Sequence, residues 1–123
     1  MNAMKAKVWV VDDDVAVQQS VSVLLGAFGF ETYCAASAEQ FLHDEAEQTA
    51  DAMVVDLRLP GKSGIDLLKQ LTKEGRAVPT VLISGHRDDD VLAQLESFHA
   101  VCFLMKPFNP KSLIDWLSEH CVC

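Results

Sequence analysis

Four charged residues and one hydroxyl stand at the ends of apolar runs, where a buried strand would leave a sheet. Asp12 and Asp13 close Val8-Trp9-Val10-Val11, and Asp56 closes Met53-Val54-Val55. Ser84 ends Thr80-Val81-Leu82-Ile83, and Lys106 follows Val101-Cys102-Phe103-Leu104-Met105. Carboxylates at one strand edge attract a cation, and a lysine beside them attracts an anion. The set suits metal-assisted phosphoryl chemistry. A carboxylate is a poor nucleophile toward an anionic phosphoryl group, and a divalent ion removes much of that repulsion. Mg²⁺ takes oxygen ligands and keeps several waters, so two or three protein oxygens suffice. Lys106 would offset charge as a point cation. Ser84 would donate a hydrogen bond to an arriving phosphoryl oxygen, with Gly85 leaving the approach uncrowded.

The elements that must position these residues alternate five times. The first strand spans about residues 7 to 12. Asp14 then caps a helix with Val17, Val21, Leu24, Leu25 and Phe28 at helical spacing, ended by Gly29. Residues 31 to 35 form a second strand. Ser37-Ala38-Glu39-Gln40 has the capping-box pattern and opens a helix with Phe41, Leu42 and Ala46 on one face. A third strand, residues 53 to 56, leads through Leu59-Pro60-Gly61-Lys62 to Ser63, the cap of a helix turning Ile65, Leu68 and Leu71 inward. Residues 80 to 84 form the fourth strand. The acids of Asp88 to Asp90 suit the start of the fourth helix, whose stripe is Val91, Leu92, Leu95 and Phe98. Residues 101 to 104 form the fifth strand, and Asn109 and Pro110 open a helix burying Leu113, Ile114 and Leu117. Near-continuous apolar strands imply a parallel sheet with helices on both faces, a flavodoxin-like (βα)5 fold. Ligands of such sheets bind outside the carboxyl ends of the strands, where all five candidates lie.

A length of 123 residues favours one compact domain, and half of the residues are apolar. The formal charge of −8 opposes direct nucleic-acid binding and docking on anionic membranes. No apolar run approaches the ~20 residues of a membrane span, and no signal peptide opens the chain, so a cytoplasmic location is expected. Residues 1–5 are expected to be a disordered or vector-derived lead-in to a domain spanning 6–121. Cys34 and Cys102 are expected to pack as small apolar residues. The Cys121-Val122-Cys123 tail, with His120 alone beside it, lacks the ligand count of a zinc site and is expected to fray.

Taken together, Val-Val-Asp12-Asp13-Asp14, Val-Asp56-Leu-Arg-Leu-Pro60-Gly61-Lys-Ser-Gly64, Ile-Ser84-Gly85-His86 and Phe103-Leu-Met-Lys106-Pro107-Phe108 resemble the CheY-like receiver domain of two-component response regulators. The resemblance covers roughly residues 6 to 120. Ser-Gly-His and Arg-Leu-Pro-Gly look like its FixJ-type branch. It implies that Asp56 is the phosphoacceptor, and that Asp12 and Asp13 hold Mg²⁺ with Asp56 and the backbone carbonyl of Arg58. It further implies that Ser84 is the switch hydroxyl, Phe103 the aromatic switch and Lys106 the phosphate-binding lysine, before a Pro107 bond that is cis in relatives. The side chains of Arg58 and His86 occupy positions that tune phosphoryl lifetime in relatives. Phe103 departs from the tyrosine of some relatives and lacks its hydroxyl. His99 stands where many relatives have glycine, so the turn there is expected to differ if it needs a positive φ.

The implied partners are a sensor histidine kinase or phosphotransfer protein and a downstream effector or missing output domain, with homodimerisation on phosphorylation allowed by the fourth helix. No output domain is expected in this chain. The chain would act as a signalling phosphoacceptor catalysing only its own modification and its hydrolysis. Two other readings remain open here. One is an aspartyl-phosphate phosphohydrolase, though Arg58 stands where an acid/base would be wanted. The other is an unphosphorylated interaction module, in which Asp56 merely pairs with Lys106. Trp9 and Trp116 are read as packing or interface residues, and His43, His99 and His120 as surface or partly packed.

Overall fold

A computed structural model of the chain describes residues 6–45 and 49–120. The lead-in, the role of Ala46 and the cysteine tail lie outside the described residues. The elements run β1 (Lys7–Val11), α1 (Val15–Ala27), β2 (Glu31–Ala35), α2 (Ala38–Asp44), β3 (Ala52–Asp56), α3 (Gly64–Lys73), β4 (Thr80–Ser84), α4 (Asp89–Leu95), β5 (Val101–Met105) and α5 (Pro110–His120). All four strand pairings are parallel, in the order β2-β1-β3-β4-β5. This is the flavodoxin-like (βα)5 fold that the alternation predicts.

Strand side chains alternate between two cores because successive Cβ atoms leave opposite faces. Val8, Val10, Val54, Val81 and Ile83 meet α1 and α5 through Val21, Leu25, Leu113 and Leu117. Trp9, Val11, Met53, Val55 and Leu82 meet α2 and α3 through Phe41, Leu67, Leu68 and Leu71, with Leu95 of α4 packed against them. Trp9 stacks on Tyr33 at 5.5 Å between ring centroids and meets Phe41 edge-on at 5.3 Å, so it packs as expected. Trp116 packs on the first core and stacks against His120 at 4.1 Å.

The helix starts follow the capping residues of the sequence. Asp14, Ser37, Ser63 and Asp88 each accept a backbone N–H in the first turn, and Ser63 with Asp66 forms a complete capping box. At Ser37 only half of the box forms, because Gln40 accepts from Ala36 N–H instead. One expectation is corrected and two are refined. Phe28 is the C-cap of α1 rather than a core residue and lies exposed. In α3 the buried residues are Leu67, Leu68 and Leu71, with Ile65 only partly covered. The left-handed residue between α4 and β5 is Ala100, at φ 53°, not His99.

Candidate functional site

Strand order brings the acids together. β1 and β3 are neighbours although β2 lies between them in sequence, and helices leave them toward opposite faces. The seam between them is the switch point where such sheets bind ligands. Val11 pairs with Val55, so the next residues, Asp12 and Asp56, emerge side by side. Carboxylate oxygens of Asp12, Asp13 and Asp56 all come within 4.8 Å of one another.

Asp12, Asp56 and Lys106 are each held by hydrogen bonds. Asp12 donates its N–H to the Ala35 carbonyl at 3.0 Å, and its Oδ1 accepts Asp14 N–H at 2.9 Å. Asp56 Oδ1 accepts Arg58 N–H at 2.8 Å. Lys106 Nζ donates to Asp56 Oδ2 at 3.0 Å and lies 3.6 Å from Asp12 Oδ2. The lysine is set against the fourth strand by its own N–H, which bonds the Ser84 carbonyl at 2.8 Å. The Lys106–Pro107 peptide is cis, as the resemblance implies.

Electrostatically, three carboxylates face one ammonium. Burial raises the Asp12 pKa from its ordinary value, with the Asp14 N–H opposing the rise and the Asp56 charge adding to it. For Lys106 burial works against the charge. The hydrogen bond to Asp56 and the charges of Asp12 and Asp56 outweigh it, so its pKa lies above the usual value. The corner is thus short of positive charge. Its donors are hard oxygens clustered at one point, which fits a magnesium-sized cation.

Ser84 is buried at the end of β4, and its Oγ accepts His86 N–H at 3.1 Å. Arg58 and His86 enter the network through their backbone N–H groups, while their side chains are exposed. Phe103 lies on β5 opposite Leu82, partly buried against the core beneath α2 and α3. Asp13 is exposed, Asp12 buried and Asp56 between.

Three supporting residues escaped the sequence reading. Gln18 of α1 donates from Nε2 to the Asp12 carbonyl at 2.6 Å and to the Ala35 carbonyl at 3.4 Å. Its place one turn after the acid run was the only available signal. Gly64 packs so tightly that a Cβ there would lie 2.6 Å from the Asp56 carbonyl oxygen and 3.0 Å from Leu57 Cα. Glu39 of α2 reaches the loop after β3 and accepts Lys62 N–H at 3.3 Å.

Comparison with known proteins gives a consistent result. Residues 8–118 match the family described as the response regulator receiver domain. The response regulator protein TmoT of Ectopseudomonas mendocina is 32% identical over 114 residues, which are 93% of this chain and 52% of that protein. The DNA-binding response regulator MtrA of Mycobacterium tuberculosis is 36% identical over 115 residues, 93% of this chain and 50% of that protein. A response regulator receiver protein from Pseudomonas putida superposes with a TM-score of 0.88 at 26% identity, covering 96% of this chain and 99% of that one. The chain spans about half the length of the curated relatives it matches.

Proposed function

This chain belongs to the response regulator receiver family of two-component systems, and from that premise we propose that Asp56 is its phosphoacceptor. The observation that carries the reading is the gathering of Asp12, Asp13 and Asp56 within 4.8 Å with Lys106 beside them. Receiver domains generally use Mg²⁺. Here Asp12, Asp13 and Asp56, with the Arg58 carbonyl, would hold it. Bound there, the ion supplies charge neutralisation for the meeting of two anions and a template for in-line displacement.

The protein's own groups do the rest. Arg58 N–H and Lys106 Nζ fix the two Asp56 oxygens and so orient the carboxylate. A carboxylate oxygen of Asp56 attacks phosphorus; an O–P bond forms as the donor's P–N bond breaks, and the electron pair leaves with the imidazole. Lys106 pairs with a phosphoryl oxygen, and the Ser84 hydroxyl turns from its His86 N–H contact to donate to another. The new group carries about −2 charge and three acceptors, so contacts made in only one state shift the conformational balance. Phe103 follows Ser84 inward, and the face of α4, β5 and α5 changes for a partner to read. The exposed Arg58 and His86 side chains border the acceptor and tune access of hydrolytic water.

The proposed donors are a sensor histidine kinase or phosphotransfer protein in the cytoplasm. The reader is an effector or an output domain elsewhere in a longer protein. The −8 charge directs nucleic-acid binding away from this domain. The Ser-Gly-His and Arg-Leu-Pro-Gly motifs support a FixJ-type assignment.

The test is incubation with Mg²⁺ and a small phosphodonor, read by intact mass. One acid-stable, base-labile adduct is expected, absent in Asp56→Asn and in EDTA. An adduct that persists in Asp56→Asn refutes the assignment. Lys106→Ala is expected to separate adduct formation from partner binding, weakening the second more; normal signalling by that variant would remove Lys106 from the switch.

A further inference from the structure

Metal-binding residue types also gather at the edge of the sheet opposite the acids. A cavity of about 400 Å³ opens there between the α3–β4 connection, the α4–β5 turn and the end of α5. Val78, Pro79 and Ala100 wall it, and His99, Glu119 and His120 bring it polar side chains. Pro79 and Ala100 directly precede β4 and β5, so the cavity sits at the amino ends of those strands. A five-residue strand spans roughly 16 Å, which keeps this place apart from the corner around Asp56.

The scaffold fixes what carries each imidazole. The Ala100 carbonyl accepts Thr80 N–H at 3.0 Å, which ties the turn bearing the exposed His99 to β4. The His120 ring stacks on Trp116 at 4.1 Å between centroids, and its Nδ1 lies 2.9 Å from the Trp116 carbonyl oxygen. A carbonyl only accepts, so Nδ1 carries the proton in that contact. In the neutral ring Nε2 then keeps the lone pair. This is the state in which a histidine binds a metal while a carbonyl behind it orients the ring. The C-terminal end of α5 and the Glu119 carboxylate both favour a cation here.

The chain supplies further donors. Cys121 follows His120 directly, and Cys123 stands three residues beyond it, at most ~11 Å along an extended chain. The tail with His120 has too few ligands for a zinc set. The fold adds His99, and two nitrogens and two sulfurs complete it.

We propose that His99, His120, Cys121 and Cys123 form a tetrahedral site for a zinc ion, joining the α4–β5 turn to the end of α5. Donor type selects the ion. Thiolate and imidazole suit zinc, whereas magnesium takes hard oxygens and is left to the acid corner. On binding, each thiol gives its proton to solvent and each imidazole enters neutral, so two thiolates match the charge of the ion. The proposal does not depend on the chemistry at Asp56.

Titration of the reduced full chain with Co²⁺, a coloured stand-in for zinc, in excess Mg²⁺ tests it. One ion per chain is expected, with the intense visible bands of tetrahedral cobalt and a near-ultraviolet sulfur-to-cobalt band, both erased by Zn²⁺. Zn²⁺ should also raise Tm. Loss of a group that merely orients a ligand costs about 10–100-fold in metal affinity, so His99→Ala and Cys123→Ser should each weaken binding at least about tenfold. His99 is exposed, so that variant should fold, as its melting without metal would show. Weak octahedral cobalt bands with no sulfur band overturn the proposal. So does full affinity in His99→Ala, which leaves the ion to the tail alone. Half an ion per chain, with a dimer in sedimentation, assigns the thiols to an ion shared between copies and overturns it too.

Discussion

Replacing Asp13 by asparagine should stabilise the protein without metal and remove most of its response to metal. The Asp13 carboxylate has oxygens within 4.8 Å of those of Asp12 and Asp56. At an effective dielectric near 20, each such like-charge pair costs about 3.5 kcal/mol. Solvent around the exposed Asp13 screens most of this, leaving about 1 kcal/mol. Asparagine keeps the shape and removes that repulsion. An unfolding entropy of about 2.1 cal/mol/K per residue over 123 residues makes 1 kcal/mol worth ~4 °C in Tm. Saturating Mg²⁺ should act oppositely. At about 100 times its Kd it adds ~2.7 kcal/mol, or ~10 °C, to the wild type, and far less to Asp13→Asn. Thermal melts of both proteins in EDTA and in excess Mg²⁺ read all four values. A lower Tm for Asp13→Asn in EDTA, or a wild type indifferent to Mg²⁺, would refute the electrostatic account of this corner.

Gly64→Ala should cost about 1–3 kcal/mol, because its new methyl group meets backbone at Asp56 and Leu57; Gly26→Ala, in an open helical position, should instead gain about 0.5–1 kcal/mol, and urea titration of the pair gives both signs. Ala100→Gly should stabilise by roughly 0.5–1 kcal/mol in the same assay, since φ 53° crowds a Cβ. Gln18→Leu should lose about 1 kcal/mol of stability by stripping the donor from the Asp12 carbonyl, and should also weaken Mg²⁺ binding in a calorimetric titration; unchanged metal affinity would make Gln18 a purely structural residue.

The sequence carried the strand ends well, because a parallel sheet buried on both faces writes its strands as apolar runs and its functional charges as their terminators. Asp12, Asp56, Ser84 and Lys106 stand at such ends. Their convergence followed from the strand order rather than from any local signal. Helix periodicity identified Val21, Leu25, Leu113 and Leu117 but misjudged Phe28, since the 3.6-residue pattern reads on into the C-cap, where the helix has already ended. Gln18 and Gly64 were not legible because each acts on backbone atoms distant in sequence, which no spacing rule encodes. The left-handed residue of the α4–β5 turn is Ala100, and an alanine gives no warning of a positive φ in the sequence.

The sheet is unevenly covered. β3 and β4 are buried over nearly their whole length, while β5 is only partly covered along its run. The proposed acceptor, Asp56, therefore ends one of the most buried strands of the sheet, while Phe103 lies in, and Lys106 directly follows, a partly covered edge strand. A signal written at the centre can be expressed at the periphery without disturbing the foundations, because few packed atoms must be rearranged there. A design that thickened this margin, by filling the space around β5 with larger apolar side chains, would gain rigidity and lose responsiveness together.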